Sequence, residues 1–224
     1  MLTRAKFLSG AILSAAVLAA PAAQAQTGQQ VTIDGARKTL ADLRHDKAFG
    51  NAERLLRQAR AVMIVPKLIK GGFFVGGEGG NGVLMVRRGH GWSDPAFFVI
   101  GAASFGLQAG LEQSEVILLV MTQKGLDGVL RDNFKVGAQA GVAVVTLGSG
   151  VEGAVGGPTP PDIVVWSSST GLYGGLTIDG SVIRAEPNDT STFYGRPVTT
   201  REVLYGHVDS PRAGALRREI DAFG

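Results

Sequence analysis

Two glycine runs, one serine and three histidines sit at spacings that could support chemistry. Gly77-Glu78-Gly79-Gly80-Asn81-Gly82 and Gly148-Ser149-Gly150-Val151-Glu152-Gly153 both satisfy G-x-G-x-x-G, a spacing that holds a pyrophosphate when a helix N-terminus follows. Val83 to Val86 follows the first run as a strand-like stretch, and the second opens a Gly/Pro-rich loop. Both therefore read as backbone geometry, the first as a hairpin. Ala102-Ala103-Ser104-Phe105-Gly106 has the outline of a nucleophile elbow, with Asp162, Glu186 and His207 later in the chain. That device needs a sharp strand-to-helix turn, whereas residues 105–110 alternate like a strand, so Ser104 reads as a small residue in a sheet. His45, His90 and His207 lack the spacing that places two ligands on one metal. Glu112 and Glu115 straddle a strand end and read as solvated charge. No catalytic group, metal or cofactor is expected.

Composition narrows the field further. An apolar share of 45% with 18% charged residues excludes an intrinsically disordered chain, and 224 residues suffice for one well-cored domain. The absence of Cys excludes disulfides, thiolate metal sites, Cys nucleophiles and a lipidated cysteine. Residues 31–70 hold nine Lys/Arg and four acids, a net +5, while residues 71–224 hold 11 and 15, a net −4. Such polarity makes a basic pole available to an anionic surface. Nucleic acid is not an expected partner, because the charge without the leader is near neutral and no recognition motif is present.

The first 25 residues read as an address. Arg4 and Lys6 precede the apolar run Phe7 to Ala20, and Ala23-Gln24-Ala25 offers the small-x-small pattern of a cleavage site. The expectation is a signal peptide over residues 1–25 and an exported domain over 26–224, periplasmic or secreted, peripheral rather than membrane-spanning.

The elements that would position these residues begin with helices. Residues 26–30 read as a loose tail, Asp34 to Lys47 as a helix with Ala36, Leu40 and Leu43 on one stripe, and Asn51 to Arg60 as a second helix. Ala61 to Val65 reads as a strand closed by Pro66. Further strands are expected at 72–77, 82–88, 95–100, 102–111, 115–122, 139–147, 163–168 and 172–184, with a turn at Asn81-Gly82 and a short helix at 123–132. Residues 199–205 and 211–223 read as helical. The fold class is α+β, a single domain with a twisted, mainly antiparallel sheet or partial barrel and helices at the N- and C-terminal ends.

Several spaced blocks resemble the SYLF domain family. They are Ala59-Arg60-Ala61, the apolar run to Pro66, Lys67-Leu68-Ile69-Lys70-Gly71-Gly72-Phe73, and Gly76 to Gly82. Trp92-Ser93, Pro95, Gly101 and Ser104 to Gly110 follow, then Gly171 to Leu176 and Thr199 to Leu204. Together they cover roughly residues 35–207. The resemblance implies a compact, non-enzymatic domain that binds phosphoinositide or other anionic lipid in eukaryotic members, some of which also bind actin. An exported chain would meet neither actin nor phosphoinositides, so the expected partner is anionic phospholipid at a cell-envelope membrane. The expected contacts are Arg54, Arg57, Lys67 and Lys70, with Arg37 and Lys38 beside them. The alternative is an envelope structural or interaction protein that self-associates or binds a protein partner.

Overall fold

The computed structural model describes residues 27–45, 52–72, 75–89, 91–105, 110–137, 141–146, 161–170 and 180–223. Helix α1 spans Gly28–His45 and α2 spans Ala52–Gln58. The tail expected before residue 31 is helical from Gly28. Thr27 begins it, its hydroxyl accepting from Gln30 N at 3.3 Å and its carbonyl from Val31 N at 3.1 Å. Distant residues hold that first turn: Gln29 donates to Asp189 at 2.9 Å, and Arg212 donates to Gln30 and to Thr27 at 3.2 and 3.0 Å. Such contacts have no local signature, which is why the sequence reads as a loose tail there.

The first strands are longer than the turn signals suggest. Strand β1 is Ala61–Gly72 and β2 is Val75–Arg88. Pro66 does not close β1; register shifts between Ile64 and Ile69 in the ladder to β2 and between Val65 and Leu68 in the ladder to β5 absorb it, the kind of bulge in which a residue without an N–H is tolerated. Nor does Asn81-Gly82 make a turn, since β2 runs straight through it. The irregular β1 backbone crowds β2, so a Cβ at Gly80 would lie 2.5 Å from Lys67 O and one at Gly82 would lie 2.5 Å from Ile64 O. These glycines answer a backbone approach rather than a turn. After β3, Gly91–Trp92, the three strands expected between 95 and 122 are two, β4 at Ala96–Phe105 and β5 at Gly110–Val120.

Helix α3, Gln123–Val129, follows, then β6 Phe134–Lys135, β7 Val142–Thr146, β8 Ile163–Thr170 and β9 Val182–Ala185. The expected strand at 172–184 is described only from residue 180, and the loop expected at 148–161 lies almost wholly outside the described residues. Helix α4, Pro187–Tyr194, was not apparent in the sequence; α5, Thr200–Tyr205, and α6, Gly214–Asp221, fall where helices were expected. Among the described residues the strands form one sheet in the order β6-β9-β4-β2-β1-β5-β8-β7, with β3 paired to β2. Among the described residues only β7 and β8 run parallel. The fold is an α+β single domain built on a strongly curled, mainly antiparallel half-barrel.

Alternation along the strands builds two cores, one on each face. Val62, Ile64, Met85, Ile117, Leu119 and Trp166 meet Ile33, Leu40 and Leu43 of α1, Leu55 and Leu56 of α2, and Leu216 and Ile220 of α6. Met63, Val65, Leu68, Leu84, Val116 and Leu118 meet Leu126 and Val129 of α3 and Val203 and Leu204 of α5 on the other face. Each fully buried aliphatic side chain contributes roughly 1.5–3 kcal/mol. No helix among the described residues is long and apolar enough to cross a membrane.

Candidate binding surface

Four of the arginines fasten this architecture together. Arg87 and Arg88 are consecutive on β2, so they leave opposite faces of the sheet. Arg87 donates to Leu56 O at 2.5 Å and Ala59 O at 3.0 Å, at the end of α2, with its guanidinium 4.4 Å from the Trp92 ring centre. Arg88 donates to Val203 O at 2.5 Å and Leu204 O at 2.7 Å, at the end of α5. Helix C-termini carry unpaired carbonyls and partial negative charge, so each arginine fixes one helix to one face. Arg44 does similar service for α6, pairing with Glu219 at 3.1 Å and lying 4.6 Å from the Phe223 ring centre. Arg217 lies 2.7 Å from the fully buried Asp94 carboxylate, which also accepts from Ser210 N at 2.5 Å. Burial pushes the Asp94 carboxyl above its ordinary range, against the pull of Ser210 and Arg217.

The six residues expected to contact lipid divide into three groups. Arg37 and Lys38 lie on α1 where that helix crosses β1: a Cβ at Gly35 would touch Pro66 at 2.8 Å, and Lys67, exposed, follows directly in the chain. Arg37 is 4.0 Å from Asp34. Lys38 holds two carboxylates, Asp42 one turn on and Glu115 of β5 at 3.1 Å. Those hydrogen bonds raise the Lys38 pKa, while burial raises that of Glu115. Arg54 and Arg57 are exposed on α2, with Arg57 donating to Phe223 O at 3.2 Å. Lys70 shares the Leu68 face of β1, opposite α2, and stands in register between Glu78 of β2 and Glu112 of β5. The structure thus gathers Arg37, Lys38 and Lys67 about one crossing, keeps Arg54 and Arg57 together on α2, and sets Lys70 on the far face.

The other motifs have structural places. Gly77 to Gly82 lies within β2, with no helix following. Ser104 lies within β4, in register with Gly76, and not at a strand-to-helix turn; the second glycine run, Gly148 to Gly153, and His90 are outside the described residues. Among the described residues no three His, Asp or Glu converge as metal ligands. Asp162 acts as a structural hub, accepting from Thr122 Oγ1 at 2.5 Å, Gly141 N at 2.9 Å and Lys124 at 3.2 Å. Burial alone would raise its pKa, but these bonds outweigh it and hold it below the usual carboxylate value.

The family model described as "Ysc84: Las17-binding protein actin regulator" matches residues 101–223, more than half of the chain. This protein belongs to the Ysc84 (SYLF) family. The family assignment agrees with the resemblance in the sequence blocks. Among curated relatives, the cattle SH3 domain-containing YSC84-like protein 1 is 26% identical over 172 residues, covering 75% of this chain and 50% of its own. The Xenopus laevis protein of that name is 28% identical over 165 residues, covering 72% and 49%. LAS seventeen-binding protein 3 of Saccharomyces cerevisiae is 27% identical over 165 residues, covering 71% and 35%. The chain therefore spans about half the length, or less, of these relatives. The Ysc84 family is one of binding and regulatory domains.

Proposed function

We propose that this chain is an exported, non-catalytic binding module that engages anionic phospholipid reversibly at a cell-envelope membrane surface. Membership in the Ysc84 family carries the reading of a binding module. Export rests on the leader-like residues 1–25, and an exported chain would work in the periplasm or outside the cell. The contacts are the cations that project outward, Arg54 and Lys67 first, with Arg57, Arg37, Lys38 and Lys70 contributing charge behind them. A Lys or Arg near an anionic membrane contributes about 1 kcal/mol and fades beyond a Debye length. Two to four such residues give weak, reversible, salt-sensitive association.

One observation favours a protein partner as the second reading. Arg37, Lys38 and Arg57 already have partners inside the protein, and the family description speaks of Las17 binding and actin regulation. For an exported chain the partner would be an envelope protein rather than actin. Co-sedimentation with phosphatidylglycerol vesicles and with neutral phosphatidylcholine vesicles, each at low and physiological salt, separates the readings. Binding to the anionic vesicles alone, weakened by salt, is the expected result. Equal recovery with both vesicle types, or with neither, rejects the lipid reading and leaves the protein partner.

A further inference from the structure

Where α1 crosses β5 and β8, the apolar seam between helix and sheet gives way to a groove of about 260 Å³ lined by Lys38, Asp42, Gln113, Ser114, Glu115 and Ser168. Every lining residue is polar. Gln113 and Glu115 share one face of β5, Ser168 of β8 stands in register with Glu115, and α1 supplies Lys38 and Asp42 one turn apart. Lys38 donates to one oxygen of each carboxylate, Asp42 Oδ2 and Glu115 Oε1. The Glu115 side chain is 17% exposed and that of Lys38 68%, so the groove has a shielded floor and an open mouth.

The bonding inventory narrows what can bind. A carboxylate offers about four acceptor positions and an ammonium three donors. The Lys38 bonds use one oxygen of each carboxylate and two of the three N–H groups. The two carboxylates also face each other closely, yet each keeps lone pairs beyond the one that Lys38 takes; these, the third ammonium hydrogen and the Ser168 hydroxyl that lines the groove can serve a ligand. An entering cation would meet the Lys38 ammonium, which already occupies the position between the carboxylates. An anion would face two carboxylates against one ammonium. A neutral polyol avoids both conflicts, because each hydroxyl donates and accepts without displacing the ion pairs. Drug-sized ligands need about 300–1,000 Å³, which limits the occupant to a single ring.

We propose that this groove binds one neutral sugar-like polyol ring, with Asp42 and Glu115 accepting from its hydroxyls and Lys38 and Ser168 donating to them. A free sugar and the sugar headgroup of a glycolipid present the same chemistry. This site shares Lys38 with the proposed anionic-lipid contacts, but it is a separate recognition event, since the ring is uncharged.

The test is an NMR titration of the ¹⁵N-labelled full chain with methyl glucoside, methyl galactoside and myo-inositol, in parallel with co-sedimentation on vesicles containing glucosyl-diacylglycerol or phosphatidylcholine alone. Shifts at Gln113, Glu115, Ser168 and residues 38–42, with a Kd on the order of 1 mM, are expected for at least one free polyol. Asp42→Asn and Glu115→Gln should each weaken binding about tenfold; Asp42 is exposed enough that its variant tests the site even if the other unfolds. Failure of the free polyols but capture by the glycolipid vesicles, lost in Asp42→Asn, supports the site with a headgroup as its source. Absence of both responses, or shifts indifferent to Asp42→Asn, overturns it. Retained binding to phosphatidylglycerol in that case would show that the lipid reading stands alone.

Discussion

Arg87-Arg88 and Lys67, on adjacent strands of one hairpin, carry the same sign of charge and do opposite work. The arginine pair is half-buried and its guanidinium groups are consumed by four helix carbonyls, two on each face of the sheet. Lys67 sits on the bulge of β1 and is exposed. A charge count along the chain treats these residues alike. The second kind is the one a membrane can reach, because the first keeps its charge but spends its donors on backbone carbonyls and is covered by the helices it holds. Within residues 31–70 the same distinction holds, because Arg44 is taken up by Glu219 and the Phe223 ring and Lys38 by Asp42 and Glu115, so that segment looks more basic in sequence than it acts in the fold.

That division makes graded predictions. The largest effect should come from Arg217→Leu, which strands the fully buried Asp94 carboxylate without its ion partner. Breaking a buried pair from one side costs about 3–5 kcal/mol, and urea unfolding should place this variant near the lower figure because Arg217 is partly exposed. Next, Arg88→Ala removes two charged hydrogen bonds to the end of α5 and should cost about 2–3 kcal/mol by the same assay. If Arg88→Ala were no worse than a surface substitution, the distinction between fastening and outward cations would fail.

The bulge that presents Lys67 can be probed from β2. Gly80→Ala places a Cβ against Lys67 O and should destabilise by about 1–3 kcal/mol, the usual cost of overpacking. At Gly79 the nearest atom to a Cβ would be Ile100 O at 3.8 Å, so Gly79→Ala should lie within about 1 kcal/mol of the wild type. Equal effects would mean that the close approach of β1 to β2 does not require glycine at residue 80.

Asp162 supplies a pH-dependent contrast. Its carboxyl is held below the usual carboxylate range, so the stability it contributes is complete above that range and is lost as pH falls through and below it. Asp162→Asn should therefore be less stable by about 1–2 kcal/mol at neutral pH, with the gap to wild type closing in acid. Asp94 has the opposite sign, because a raised carboxyl pKa favours the folded state as pH falls. A gap for Asp162→Asn that widened in acid would contradict the assignment.

Much of this was legible in the sequence where local physics decides. The stripe of Ala36, Leu40 and Leu43 marks α1 by short-range periodicity, and β-branched runs mark the strand cores; the structure adds Ile33 to the buried stripe and a Thr199/Glu202 capping box to α5. The glycines misled because their purpose is non-local: Gly80 and Gly82 relieve pressure from β1, which a single strand's sequence does not encode. Helix α4 was missed for a related reason. Its Phe193 packs 5.3 Å from Phe97 and its Thr190 hydroxyl accepts from Phe97 N, while Asn188, Asp189, Thr190 and Ser191 look like a turn. The candidate surface was legible as a set of charges but not as a geometry, because the partners of Arg37, Lys38 and Arg57 come from elsewhere in the fold or lie a turn away on the same helix, and the face on which Lys70 stands is set by the β1 bulge.

The smallest expected change in stability accompanies the most direct test of function. Arg54→Glu with Lys67→Glu alters two exposed positions and should leave the unfolding free energy within about 0.5 kcal/mol per site. Sedimentation of this double variant with phosphatidylglycerol vesicles is the decisive measurement. The account predicts a loss of affinity of at least tenfold in a folded protein, since each outward cation contributes about 1 kcal/mol near the membrane. Undiminished binding by the folded double variant would contradict it.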